Sequence, residues 1–186
     1  MSTTILAFAK FGSKEFMEDL INNGTIFLNT VNKFKQFEDD FRGDKNEGVS
    51  DLIQSDFTNL ELRLPESLGG GELTLNKSTG LVGQIYINDI NYTNSNIYSL
   101  YMIYPDEKFK VDNRVFQFGE YVVLIHNPHE FLNRIEDTLD KMNLKYECGV
   151  VEYIDKNTFQ GHMSIFNKFS SYAYQNEFRF HVRNKE

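Results

Sequence analysis

The chain closes on Phe166-Asn-Lys-Phe-Ser-Ser-Tyr-Ala-Tyr-Gln-Asn-Glu-Phe-Arg-Phe-His-Val182, and the reading of that stretch decides the fold. From Tyr174 the side chains alternate: Tyr174, Asn176, Phe178 and Phe180 fall on one side, Gln175, Glu177, Arg179 and His181 on the other. A strand repeats every two residues, so the pattern predicts a strand with one mainly aromatic face and one row of polar and ionisable groups. That row is either the solvated side of an edge strand or the wall of a site.

Upstream, Asn127-Pro-His-Glu130 has the form of a helix start: Asn127 caps, Pro128 takes the first helical position and Glu130 stands where a capping-box acid reaches back. Phe131, Ile135, Leu139 and Met142 then mark one buried face, and Lys145 to Ile154 returns as a strand. Ile97 to Tyr104 and Tyr121 to Ile125 are almost unbroken apolar runs, which predicts central strands covered on both faces. Leu60, Leu62 and Leu64 alternate with Asn59, Glu61 and Arg63. The alternation resumes at Leu73 and Leu75 beyond a glycine-rich turn, predicting a half-buried hairpin. Leu81 to Ile87 reads as a further strand and the Asn-rich 88–96 as a loop.

At the other end, Ile5 to Ala9 predicts a short buried strand. Ser13 opens a helix with Phe16, Met17, Leu20 and Ile21 facing inward, Asn23-Gly24 closes it, and Thr25 to Asn29 follows as a strand. Thr30 to Phe37 has the spacing of one or two helical turns, and 37–48, rich in charge and glycine, reads as an exposed loop. No internal repeat or linker divides the chain, so residues 1–186 are expected to form a single α+β domain with a mostly antiparallel sheet and a few helices.

Composition narrows the function. At 186 residues the chain can bury ~70% of its unfolded surface, and 40% hydrophobic residues with seventeen Phe and ten Tyr exclude a disordered chain. A net charge of -8 repels phosphate backbones and argues against a broad nucleic-acid surface. The lone Cys148 forms no intrachain disulfide and lies in a strand-like run, where it reads as a small buried thiol. No run approaches the ~20 apolar residues of a membrane span, and the first residues are too short in apolar content for a signal peptide, so a cytoplasmic protein without a membrane partner is expected.

Three patterns bear on chemistry. Gln175-x-Glu177 places an amide and a carboxylate two apart, where a strand presents both to one ligand. Such a carboxylate favours a positively charged, oxocarbenium-like transition state, as in glycoside cleavage. The loop Arg42-Gly-Asp44-x-x-Glu47-Gly48 reads either as a solvated acidic loop or as a lid over a nucleotide, with Arg42 presenting its planar fork to a pyrophosphate. Its spacing does not match a calcium loop, and His126 and His129 lack the further ligands of a zinc site, so no metal is expected. Nucleophile-elbow and phosphate-loop motifs are absent.

The order of a short strand with Phe11-Gly12, a helix ending in Asn23-Gly24, Ile26-Phe-Leu28, the Arg42 to Gly48 loop, Phe118-Gly-Glu-Tyr-Val122 and Tyr174-Gln-x-Glu-Phe-Arg179 resembles a group of uncharacterised bacterial and phage proteins. That group is itself similar to the ADP-ribosyltransferase-like families of toxin and phage-defence systems. The resemblance implies a split antiparallel sheet with an NAD-sized cleft, NAD or a related nucleotide as substrate, and transfer of ADP-ribose to a protein or nucleic-acid acceptor. Glu177 then corresponds to the catalytic glutamate and Gln175 to the acceptor-orienting position. Such families hold the cofactor with a basic residue on the first strand, where Lys10 is the nearest basic group, and Arg42, Asp44, Glu47 and Arg179 complete the expected cofactor-binding set. The alternative is a non-catalytic anti-defence protein of the same architecture that sequesters a nucleotide or ADP-ribose-derived signal, using its many Tyr and Phe faces for stacking.

Overall fold

The computed structural model describes residues 4–35, 45–55, 59–78, 80, 83–105 and 110–184. With strands and helices numbered in chain order, the main sheet runs from edge to edge through Tyr121–Ile125 (β8), Ala7–Gly12 (β1), Asn96–Ile103 (β7), Glu177–Val182 (β13) and Tyr146–Val150 (β9), every neighbouring pair antiparallel. The short Asn29–Thr30 (β2) also pairs with β7. A second antiparallel sheet holds Gly161–His162 (β11), Val49–Gln54 (β3) and Gln84–Asn88 (β6). Leu60–Arg63 (β4) and Glu72–Leu75 (β5) form the predicted hairpin, and Glu152–Ile154 (β10) lies parallel to Asn167–Phe169 (β12). The α+β, mostly antiparallel reading is thus correct for the described residues.

Alternation in β13 does what the sequence predicts, with one difference: both faces are buried. Phe178, Phe180 and Val182 join Phe8, Tyr98, Leu100 and Met102 on one side of the sheet, beneath Ile135 and Leu139 of the helix Pro128–Lys141 (α4). The ring centroids of Phe8 and Phe178 lie 5.2 Å apart, and each such buried ring contributes roughly 2–3 kcal/mol. Glu177, Arg179 and His181 face the other side and are buried too, because the turn before β3, the segment from Ile165 to Lys168 and the Tyr92 ring close over them, while β7 and β9 pair both edges of β13. The edge-strand alternative therefore fails.

Asn127 caps α4 as predicted, accepting from the Glu130 amide at 3.1 Å, but Glu130 turns along the helix to pair with Arg134 at 2.8 Å instead of reaching back to the cap. Met142 follows the last turn and is 54% exposed. In the first helix, Lys14–Asn23 (α1), Ser13 caps and Gly24 ends the helix at φ 68, yet only Met17 is buried while Phe16 and Ile21 lie open. The helix rests on the rim of the sheet against β1 and β8, where one side chain suffices to seal the contact. Short helices also form at Val31–Lys35 (α2) and Ile90–Thr93 (α3).

Four segments differ from expectation, the first being the Asn-rich 88–96, read as a loop, in which Asp89 caps the short helix α3. Residues 121–125, read as a central strand, are the sheet's edge among the described residues. The run 145–154 breaks at Val151 into β9 and β10, which belong to different sheets. The predicted strand 25–29 is reduced to β2.

That reduction shapes the molecule. β1 pairs with β7 only through Ala7–Ile103, Phe8–Met102 and Ala9–Tyr101, while β2 takes up the same edge at Ile97 and Asn96. Between them, Tyr98, Ser99 and Leu100 have no strand beside them on that edge among the described residues. The sheet is split there, and the split is where the candidate site lies.

Candidate functional site

Lys10 is the first residue of β1 beyond the part paired with β7, and on its other side it still pairs with Val123 of β8. Its Nζ reaches across the split, donates to the Ser99 carbonyl at 2.7 Å and stands 4.2 Å over the Tyr98 ring. Among the described residues it makes no ion pair. Burial lowers its pKa from the ordinary 10.5 to about 8, against the opposing pull of Glu177. The side chain is half-buried and lines the cleft.

Behind it lies a lattice of four buried charges. Arg179, fully buried, holds Glu47 bidentately at 2.6 and 3.3 Å, donates to Glu177 at 2.8 Å and to the Ile165 carbonyl at 2.5 Å. Lys168 Nζ donates to Gln175 at 2.6 Å and Glu177 at 2.7 Å, and stands 3.6 Å from Glu47. Each carboxylate thus meets both cations, which is the geometry that buried ions need to offset their desolvation. Burial would raise the Glu177 pKa, but Lys168 and Arg179 override it and hold the carboxyl at about 2. For Arg179 the carboxylates likewise outweigh burial and push its pKa further up. The Glu177 amide is taken by the Tyr153 hydroxyl at 2.9 Å.

Gln175 and Glu177 do converge, although not as neighbours on a strand. Residues 170–175 form a 3-10 turn, and Asn176 adopts the left-handed φ of 42 before β13 begins. Asparagine tolerates that conformation, and here its side chain donates to the Met102 carbonyl at 2.7 Å. The backbone turn swings Gln175 round so that its amide oxygen and a Glu177 oxygen share Lys168.

Of the expected site residues, the structure gathers Lys10, Glu47, Gln175, Glu177 and Arg179 around one cavity of about 170 Å³. Arg42 and Asp44 lie outside the described residues. Glu47 stands on no exposed loop: it is 3% exposed, on the turn just before β3, and belongs to the lattice. Lys168 was not anticipated. The sequence signal for it is a single cation set between Phe166 and Phe169 in a run otherwise fit for a core. His181 shares the Glu177 face but does not bond to it. Its ring meets Tyr92 edge-on at 5.7 Å, both ring nitrogens lack partners, and burial lowers its pKa.

The cavity adjoins a broader groove of about 780 Å³, both being lined by Lys10, Phe11, Phe27, Asn29, Tyr98 and Phe118. Phe27 lies 62% exposed on that rim, its ring nearly parallel to Phe16 at 6.0 Å. The walls therefore offer aromatic faces leading to a cation, and beyond it a charge-balanced floor. Among the described residues no cluster of three or more His, Cys, Asp or Glu side chains is placed to hold a metal ion, and no helix is long and apolar enough to cross a membrane. In comparison with known proteins, no family model, curated protein or solved structure matches this chain.

Proposed function

We propose that the split between β1 and β2 binds an anionic ligand carrying a planar ring, with a nucleotide such as NAD or an ADP-ribose derivative as the class that fits, and that the chain holds it without converting it. The observation that carries this reading is Lys10. Three cations, Lys10, Lys168 and Arg179, line the cavity against two carboxylates, Glu47 and Glu177, leaving one positive charge over. Lys168 and Arg179 are bound into the lattice, so the surplus sits on Lys10, at the end of an aromatic groove. A half-buried cation with no anion beside it is destabilising unless a ligand brings the counter-charge. Phosphate or pyrophosphate supplies it, and Phe27 or Phe118 supplies a face for the base.

A second reading, transfer of ADP-ribose from NAD, is favoured by one observation: Glu177 and Gln175 meet in the wall of that same cavity. Against it, each Glu177 oxygen is already engaged by a cation. A carboxylate so compensated offers little field to a developing oxocarbenium ion. Binding without turnover therefore fits the geometry better, and in either form the setting would be the toxin and phage-defence conflict that the resemblance implies.

The test is calorimetric titration with NAD and with ADP-ribose, alongside nicotinamide release measured with and without cell extract as a source of acceptor. Stoichiometric binding with the ligand recovered intact is expected. Nicotinamide release that vanishes in Glu177→Gln would establish the transferase instead, and a folded protein that binds neither compound would overturn the nucleotide reading.

A further inference from the structure

β8 is an edge that no further strand pairs with among the described residues, and although α1 packs against it, its own residues carry none of the devices that usually discourage pairing. Its five residues, Tyr-Val-Val-Leu-Ile, include no Lys, no Pro and no charge, and its register with β1 runs without a bulge. Tyr121, Val122 and Leu124 are 47%, 53% and 60% exposed. Every second residue of such a strand turns its N–H and C=O away from β1, towards solvent. We propose that this edge is the interface of a two-fold dimer, in which β8 pairs antiparallel with the β8 of a second copy of this chain about Val123.

The sequence around β8 is complementary to itself in that register. Pairing about Val123 places Val122 opposite the partner's Leu124, and Leu124 opposite the partner's Val122. The two most exposed apolar side chains of the strand thus become cross-strand neighbours on one face. On the other face Tyr121 meets the partner's Ile125, an aromatic and β-branched pair of the kind that stabilises sheets. One step further out, the exposed Glu120 meets the partner's exposed His126, so an acid stands opposite an imidazole at both ends. A shift of the centre by one residue to either side brings Glu120 opposite Leu124 or His126 opposite Val122, and loses the match.

The alternation also says why the second copy fits better than an unrelated strand. An isologous contact needs a patch that matches itself under a two-fold, and both the polar ends and the apolar middle do so here. The resulting sheet would run continuously through both copies, with the two α1 helices on the same face, because α1 packs against β1 and β8. Glu120 and Tyr121 also line the broad groove, so each groove would border the interface.

The test combines oligomeric state with a positional crosslink. Sedimentation of the full chain across a concentration series should show a species of twice the 21.7 kDa chain mass. Leu124→Lys should shift it to monomer at the same concentrations while leaving the circular dichroism spectrum unchanged and the denaturation midpoint equal to that of wild type at dilutions where the wild type is itself monomeric, since the side chain is exposed. Val123→Cys should form a disulfide-linked dimer under mild oxidation, because directly opposed residues stand ~4.5–5.5 Å apart at Cα, within disulfide reach. Val122→Cys should form none, its two copies being offset by two residues, and the wild type, whose only thiol is Cys148 on β9 at the far edge, serves as control. A monomer at every concentration, or a dimer that Leu124→Lys leaves intact, would overturn the proposal. So would crosslinking of Val122→Cys in preference to Val123→Cys.

Discussion

Replacing Lys10 by Met is expected to stabilise the fold and to abolish ligand binding at the same time. The fold lowers the Lys10 pKa from 10.5 to about 8. At about 1.4 kcal/mol for each tenfold change in acid constant, this amounts to roughly 3 kcal/mol by which the folded state disfavours the ammonium at neutral pH. Methionine has a similar shape without the charge, but it leaves the Ser99 carbonyl without its 2.7 Å donor, a loss of about 1 kcal/mol. The net gain at pH 7 is then about 2 kcal/mol. The sign is that of any group whose folded pKa is lowered, and so the opposite of a lysine held by a carboxylate: between about pH 8 and 10.5 the unfolded chain binds the proton that the folded chain has released, so wild-type stability rises with pH through that window. Urea denaturation of both proteins at pH 7 and at pH 10.5 should show the variant ahead at the first and its lead gone at the second. Titration with nucleotide at pH 7 should give binding to the wild type alone. A variant less stable than wild type at pH 7 would show Lys10 to be a structural cation, and the surplus-charge argument would fall with it.

Other expectations follow from the lattice and the backbone. Glu177→Gln removes one of two buried carboxylates that share Lys168 and Arg179, and should destabilise by about 3 kcal/mol in urea, since breaking a buried pair strands its partner. Because the Glu177 pKa is depressed from 4.5 to about 2, its contribution is fully present above pH 4.5 and is lost as pH falls towards 2. Thermal melts from pH 5 down to pH 3 should therefore decline more steeply in wild type than in Glu177→Gln, and parallel curves would contradict the assignment. Gly119→Ala should cost several kcal/mol or prevent folding, since a Cβ there would lie 2.1 Å from the Gly12 carbonyl with φ at 152. An unaltered denaturation midpoint would show that the Gly12–Gly119 approach is not as close as this.

Periodicity made β13 legible because Phe178, Phe180 and Val182 alternate cleanly with Glu177, Arg179 and His181. It could not say whether the polar row faced water, since burial depends on Glu47, Tyr92 and the segment around Lys168, which tertiary structure lays over that face. The same local rule placed Gln175 on the strand, and the structure reaches the same convergence through a left-handed Asn176 that no alternation could signal. Helix caps at Ser13, Gly24 and Asn127 were legible because each is a local hydrogen-bonding problem. Which helix faces lie buried was less so: Phe16 and Ile21 have helical spacing, but α1 lies at the rim of the sheet. Tyr121 to Ile125 is as apolar as a central strand and yet stands at an edge, which a reading by hydrophobicity alone cannot distinguish. Glu47 and Lys168 belong to the site through contacts with β13, and only tertiary structure brings them there.

The charge lattice joins residue 47 to residue 179 through a separation of 132 positions, with Lys168 between them in the chain. During folding none of its ion pairs can form until the turn before β3, β12 and β13 have all arrived, and until then hydrated charges oppose the closure of that side of the sheet. Phe8 and Phe178 lie at least as far apart in the chain, so it is desolvation, which buried ion pairs need completed before they gain, and not chain separation that is expected to make the lattice close late. Substitutions in it should accelerate unfolding while leaving the folding rate nearly unchanged, whereas truncation of Phe8 or Phe178 on the opposite face should slow folding. One side of the sheet would then set how fast the native state is reached, and the other how long it lasts.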